Sequence, residues 1–329
     1  MSQQSNRRQG RRLVIALGGN AIIPAGRKGT YEEQYELTAR TMDQVAALAA
    51  AGHQIVITHG NGPIVGNIVL RNDAGMSVHG IPPMPLYVCG ADSQGGIGYM
   101  IQQALQNSLR ARGLHRPVAS VVTQVIVDRD DPAFRQPTKP IGPFYDEARA
   151  AALRREYGWT VVEDAGRGWR RVVPSPRPRE VVEWEAIQAL MEAEVVTVAV
   201  GGGGIPVVRD VEGDLRGIDA VIDKDRASAL LAGLIEADTL AIITSVDRVY
   251  LRYGTDAAEG IDVLPAARAA QLQAQGEFPA GSMGPKIESA LAFLASGGRE
   301  VVITDPDSLF DSLHGRAGTR IVQETPAAG

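Results

Sequence analysis

Two lysines stand where a helix start is least hospitable to positive charge. Lys224 follows Ile222-Asp223 at the opening of a segment in which Ala229, Leu230 and Leu234 read as one helical face. Lys286 follows Gly281-Ser282-Met283-Gly284-Pro285 and leads the helical run from Ile287 to Ser296, which stops at Gly297-Gly298. The first turn of a helix carries partial positive charge, so acidic side chains are favoured there and cations opposed. A bound anion reverses that balance. Two cations in the same awkward position point to one shared polyphosphate, and phosphate chemistry needs positive charge and main-chain N–H donors above all. A third lysine, Lys139, sits among Pro137, Pro140 and Pro143, whose fixed φ angles stiffen the backbone that presents it.

The elements that must bring these lysines together are strands ending in glycine. Leu13-Val14-Ile15-Ala16-Leu17 is apolar on both faces, as a buried parallel strand is, and stops at Gly18-Gly19-Asn20. Ile55-Val56-Ile57-Thr58 runs into His59-Gly60-Asn61-Gly62-Pro63, with a proline suited to a first helical turn. Val195 to Val200 ends in Gly201-Gly202-Gly203-Gly204, a conformationally costly run for which close approach of a ligand is the expected reason. Leu240 to Thr244 is followed by Ser245-Val246-Asp247-Arg248-Val249-Tyr250. His59, at a strand end, is read as hydrogen-bonded structure rather than as a base.

Between the strands lie helices. Thr30 and Glu33 form a capping-box pattern, and Tyr35, Thr38, Met42, Val45 and Ala49 then repeat at helical spacing up to Gly52. A second long helix is expected from Asp92 to Arg112, with Gly95, Gly96 and Gly98 either allowing close packing against another helix, as across a dimer, or merely weakening the helix, and Val118 to Val127 reads as one strand. From Asp128 to Pro178 the βα alternation gives way to prolines, charge and a hairpin of Trp159–Asp164 with Trp169–Val173, read as a protruding insertion. The stretch Arg170-Arg171-Val172-Val173-Pro174-Ser175-Pro176 reads either as a basic ligand patch or, the favoured reading, as a solvated hairpin edge, and Val207 to Ile222 as a further hairpin.

The chain has 329 residues, 44% hydrophobic and 22% charged, enough to bury a large core. Its net charge of −5 argues against nucleic acid or an anionic membrane as principal partner. Cys89, the single cysteine, excludes an internal disulfide, and no apolar run approaches the roughly eighteen residues that span a bilayer. A cytoplasmic protein is expected, with polar tails at residues 1–11 and 324–329.

Taken together, the motifs ALGGNA (16–21), THGNGP (58–63), PTKPIGPFY (137–145), RRVVPSP (170–176), GGGGIPV (201–207), IDKDRAS (222–228) and GEFPAGSMGPKIE (276–288) resemble those of the carbamate kinases of the amino acid kinase family. The resemblance covers about residues 12–323 and implies one α/β domain. It would be a three-layer αβα fold with an open, mainly parallel central sheet and a protruding subdomain inserted at about 128–178. It further implies a homodimer and the reversible reaction of ATP with carbamate to give ADP and carbamoyl phosphate, with Mg2+ carried by the nucleotide rather than by protein ligands. Matched residue by residue, Lys139 is the subdomain lysine near the substrate, Lys224 and Lys286 hold the transferring phosphoryl group, and Asp225 organises them. Gly18, Gly19 and Asn20 form the first phosphate-facing turn, and Gly60, Asn61 and Gly62 the second. Gly201, Gly202, Thr244, Val246, Asp247, Tyr250, Met283 and Gly284 are expected on the nucleotide side. Ser245 stands where Asp is common in the wider family. Two rivals are a kinase of the same fold acting on another small carboxylate and a nucleotide-sensing regulator; retention of all three lysines and Asp225 speaks against the second.

Overall fold

In a computed structural model, which describes residues 10–23, 29–164, 166, 168–279 and 281–323, strand β1 (Arg12–Leu17) lies in the middle of the principal sheet. The chain continues through α1 (Tyr31–Ala50), β2 (Gln54–His59), α2 (Gly62–His79), α3 (Leu86–Ala111), β3 (Val118–Ser120) and β4 (Gln124–Val127). Next come β5 (Lys139–Tyr145), α4 (Glu147–Tyr157), β6 (Val161–Glu163), β7 (Trp169–Val173), β8 (Pro178–Val181) and α5 (Trp184–Glu192). They are followed by β9 (Val196–Val198), β10 (Ile205–Arg209), β11 (Leu215–Gly217), α6 (Lys224–Leu234), β12 (Thr239–Ile243), β13 (Val249–Leu251), β14 (Glu259–Ile261) and β15 (Val263–Pro265). The last elements are α7 (Ala266–Ala274), α8 (Met283–Ala295), β16 (Glu300–Thr304), α9 (Leu309–Leu313) and β17 (Thr319–Val322).

The sheet runs β15-β17-β16-β12-β1-β2-β9-β3. From β16 to β3 every neighbour is parallel; β17 turns back against β16 and carries β15 with it. Alternation along β1 explains its unbroken apolar run. Val14 and Ala16 pack with α6 and α8 on one face, and Leu13, Ile15 and Leu17 with α1, α3 and α9 on the other. Those two apolar layers make the αβα sandwich, and truncation of a fully buried residue such as Ile15 to Ala removes about 2–5 kcal/mol. The capping box forms as the sequence dictates: the Thr30 side chain accepts the Glu33 N–H, and the Glu33 carboxylate accepts from Thr30.

Beyond the sheet, β5, β7 and β6 form a three-stranded antiparallel sheet that carries Lys139 and rests on α2 through Val65, Val69, Ile141 and Val173. Gly66 of α2 meets Gly142 of β5 backbone to backbone; a Cβ on Gly66 would lie 2.1 Å from the Gly142 Cα. Arg170 is no free cation, since it donates to the Gly142 carbonyl and pairs with Asp164. Arg171 stacks over Trp159.

Three features differ from the sequence expectation. Helix α3 starts at Leu86, six residues before Asp92, because the Asp219 carboxylate accepts the Leu86 N–H just after Pro85. The apolar run Val118–Val127 is two strands in two sheets. It breaks at buried Thr123, whose N–H donates to the Gln94 side chain and whose hydroxyl accepts the Val200 N–H, and β4 joins a separate sheet, β11-β10-β4-β8. Of the expected tails, residues 1–9 and 324–329 lie outside the described residues, as do Ala165 and Arg167 of the hairpin turn. Arg11 by contrast is held, its guanidinium bonded to Glu300 and to the Leu313 carbonyl at 2.7 Å. Among the described residues no helix is long and apolar enough to cross a membrane.

Candidate active site

The parallel strands β1, β2, β9 and β12 all deliver their carboxyl ends to one edge of the sheet, where open α/β folds place ligands. Gly19, Gly60, Asn61 and Gly62 from the first two strand ends line a cleft of about 220 Å³. Helix α2 begins there with no side chain capping it; Pro63 has no N–H and the Ile64 and Val65 N–H groups donate to the Asn61 carbonyl, so Gly62 supplies the first-turn donor that can face an anion. Lys139, Asp223, Lys224, Asp225, Lys286 and Gly202 line the same cleft.

The N-terminus of α6 is built by Asp223, whose side chain accepts the N–H groups of Asp225 (3.0 Å) and Arg226 (3.4 Å). Lys224 then occupies the first helical position. Its stem lies over Gly60, where an added Cβ would sit 3.4 Å from the Lys224 Cδ, and its ammonium donates to Asp225 Oδ1 and to the Ala16 carbonyl (3.4 Å). Lys286, from the start of α8, donates to Asp225 Oδ2 at 3.0 Å. Lys139 reaches across from β5 and donates to Asp223 Oδ2 at 2.8 Å. Three ammonium groups and two carboxylates from three separate elements therefore meet in one cleft.

Their electrostatics follow from burial and pairing. Burial alone would raise the Asp225 carboxyl, but the Lys224 and Lys286 charges outweigh it and hold Asp225 below the usual carboxylate range. Burial likewise opposes ionisation of Asp223, which the Lys139 charge and hydrogen bond, with Lys224 behind them, overcome. Lys224 is pushed down from the ordinary lysine value, first by burial and then by the like charge of Lys286, against the pull of Asp225. A cleft that keeps its cations half-desolvated gains when an anion enters.

A second cleft of about 290 Å³ adjoins the first, sharing Gly281, Ser282 and Lys286. Thr244, Val246, Arg248, Tyr250 and Met283 line it, joined by Tyr253, Phe278 and Pro279. Its aromatic and aliphatic lining suits a flat heterocycle, with Lys286 at the junction. Asp247 accepts from the Tyr250 hydroxyl (2.8 Å) and from Arg248 Nε (3.0 Å), fixing the Tyr250 ring from behind.

Several residues singled out in the sequence sit elsewhere than expected. Gly18 does not line the cleft: its N–H donates to the Ile243 carbonyl at 3.0 Å, and a Cβ would stand 2.7 Å from that oxygen. Gly201 and Gly202 do not line the aromatic cleft. The four-glycine run is imposed by the chain itself, because Cβ atoms would meet His59 at Gly201, Asn61 at Gly202, the Ile222 carbonyl at Gly203 and Val125 at Gly204, each within about 2.5 Å. Gly284 is buried against the Phe278 and Pro279 carbonyls, and Asn20 lies in the short 3-10 turn Gly19–Ala21. His59 is buried and shifted down to about 4 by burial, its ring bonded to the Gly60 carbonyl, so it is a neutral strut at neutral pH.

As the N-cap of α6, Asp223 is satisfied locally through one oxygen. Its second oxygen on Lys139 has no local signal; Tyr253 and Phe278, which were not singled out in the sequence, lie three residues after Tyr250 and five before Met283, and that proximity is the signal that could have found them. Among the described residues no group of three His, Cys, Asp or Glu side chains is placed to hold a metal ion. Both cleft carboxylates are engaged by lysines, a donor set that fits a cation arriving on nucleotide phosphates rather than in a protein cage.

Comparison with known proteins agrees with this geometry. A family model described as the amino acid kinase family matches residues 11–305. The chain is 50% identical to the carbamate kinase of Pyrococcus horikoshii over 310 residues, 94% of this chain and 98% of that one. It is 50% identical to the carbamate kinase of Thermococcus kodakarensis over 315 residues, 95% of this chain and 100% of that one. Among solved structures, carbamate kinase from Giardia lamblia bound to AMP-PNP superposes with a TM-score of 0.89 at 42% identity, covering 96% of this chain and 99% of the other.

Proposed function

The chain belongs to the amino acid kinase family, and from that premise we propose that it is a carbamate kinase, transferring a phosphoryl group reversibly between ATP and carbamate to give ADP and carbamoyl phosphate. The observation that carries the reading is the meeting of Lys139, Lys224 and Lys286 in one cleft that opens, at Lys286, into an aromatic one. ATP or ADP lies with its base among Val246, Tyr250, Tyr253, Phe278 and Met283, its terminal phosphate reaching the lysines. Carbamate occupies the lysine cleft beneath Lys139.

Carbamate is already an anion, so its attacking oxygen needs no general base. The barrier lies in bringing two anions together and spreading charge over the phosphoryl oxygens. Lys224 and Lys286 approach that group from two helix starts, and Asp225 fixes both ammonium groups before substrate arrives, so little reorganisation remains at the moment of reaction. The turns at Gly19 and Gly62, which line the same cleft, supply main-chain N–H donors. Mg2+ bound to the nucleotide phosphates supplies further charge neutralisation.

The same reading extends to a cytoplasmic homodimer that forms ATP from carbamoyl phosphate in arginine or related catabolism. Support for dimerisation is the exposed face of α3, where Tyr99 stands beside Gly95 and Gly96 with open space above them. The deciding experiment is a coupled assay for ATP made from carbamoyl phosphate and ADP. ATP formation at enzymatic rates supports the proposal. Transfer to acetylglutamate, glutamate or uridylate with none to carbamate would replace it with another kinase of this fold.

A further inference from the structure

Asp223 uses its two oxygens for two different things. Oδ1 caps α6 through the N–H groups of Asp225 and Arg226, and Oδ2 accepts Lys139 Nζ at 2.8 Å across 84 residues of sequence. Capping needs one acceptor oxygen and no charge, so it accounts for the first contact and leaves the second unexplained. The charges in the cleft account for the second. Asp225 gives one oxygen to Lys224 and the other to Lys286, so its single negative charge is already shared between two ammonium groups. Lys139 carries like charge toward that pair on a flexible four-carbon stem, and its side chain is 33% exposed, so solvent offers it an easy way out. The Asp223 side chain, 14% exposed, is the counter-charge that keeps it in.

We propose that Asp223 is a positioning residue: its carboxylate holds the Lys139 ammonium over the cleft, against repulsion from Lys224 and Lys286, through the same group that starts the helix carrying Lys224 and Asp225. The inference rests on the reading of this cleft as a phosphoryl-transfer site and adds to it a link between the three-stranded sheet and α6. An ammonium group has three N–H donors, so Lys139 can keep one on Asp223 and turn others to a bound anion.

The roles separate by substitution. Asn and Ser are as good helix caps as Asp, so Asp223→Asn and Asp223→Ser keep the cap while removing the charge, and unchanged thermal unfolding identifies a variant that has kept its fold. In the substrate-free protein, labelling with an amine-selective reagent followed by mass spectrometry should find Lys139 modified markedly faster in both variants than in the unaltered chain. Equal labelling rates would overturn the proposal, and this readout needs no turnover. In steady-state assays, Asp223→Asn should lower kcat/KM for carbamoyl phosphate about 10- to 100-fold, the scale of a misplaced substrate-handling group, and leave KM for ADP nearly unchanged. Adding Asp223→Asn to Lys139→Ala should then cost nothing further. A loss in the double variant equal to the product of the single losses would show that Asp223 acts independently of Lys139. Failure of the unaltered chain to make ATP would count against the proposed function, while the labelling result would still decide the role of Asp223.

Discussion

Lys224 and Lys286 hold opposite oxygens of one carboxylate, that of Asp225, from the first turns of two different helices. The arrangement explains how two ammonium groups tolerate each other in a buried cleft, and it makes each lysine a preset donor with a fixed direction.

Replacing Lys224 or Lys286 by Ala should lower kcat about 10²- to 10³-fold, as expected when one preorganised charge-stabilising donor is lost. Steady-state turnover of carbamoyl phosphate and ADP checks it. A folded variant with near-normal kcat would remove that lysine from the proposed chemistry.

Lys139→Ala should act on the other substrate. KM for carbamoyl phosphate rises, while calorimetric titration with an ATP analogue gives an unchanged affinity, because the Lys139 ammonium reaches the lysine cleft and not the aromatic one. A matching loss of nucleotide affinity would contradict that division.

Asp225→Asn removes the charge that both lysines share, leaving two buried ammonium groups without their common counter-ion and Lys224 with Asp223 as its remaining negative neighbour. Stability should fall by about 3–5 kcal/mol, the usual cost of breaking a buried ion pair from one side, with activity falling alongside. Urea unfolding measures the first; an unaltered midpoint would mean that solvent already screens the pair.

His59 gives a pH signature in stability. Its folded value of about 4 lies below the ordinary histidine value, so between about pH 6.5 and 4 the unfolded chain binds the extra proton. The neutral-imidazole contribution is therefore complete above about pH 6.5 and is lost as the pH falls toward 4, on the order of 3 kcal/mol in all. In a series of urea titrations, His59→Gln should flatten the decline over that window. Parallel curves for the two proteins would refute the assignment.

Gly66→Ala would drive a methyl group into the Gly142 backbone. The expected loss is about 1–3 kcal/mol from overpacking, together with a raised KM for carbamoyl phosphate, since displaced β5 carries Lys139. Normal stability and KM would show that the two backbones separate freely.

Much of this was legible because the signals are local. Double-sided apolar runs mark strands buried between two helix layers, and a lysine in a first helical turn contradicts the dipole whatever the rest of the chain does. What stayed hidden depends on distant partners. Gly202 lines the lysine cleft, but the need for glycine along Gly201 to Gly204 comes from His59, Asn61, Ile222 and Val125, which arrive from remote segments. The break at Thr123 was masked by apolar residues on both sides, and only Gln94 and Val200 reveal it. Asp223 was satisfied locally as a cap, so nothing in its neighbourhood asked for Lys139.

The position of β1 bears on how the chain is made. It is the first strand of the principal sheet to be synthesised, yet it ends between β2 and β12, and its register with Thr239–Ile243 is available only after most of the protein has been translated. Until then the nascent chain presents an unpaired hydrogen-bonding edge on a strand that is apolar from Leu13 to Leu17, a template for wrong pairing. Closure of the sheet is thus a late, long-range event in biogenesis, and fragments ending before Thr239 should be the ones that aggregate or recruit chaperones.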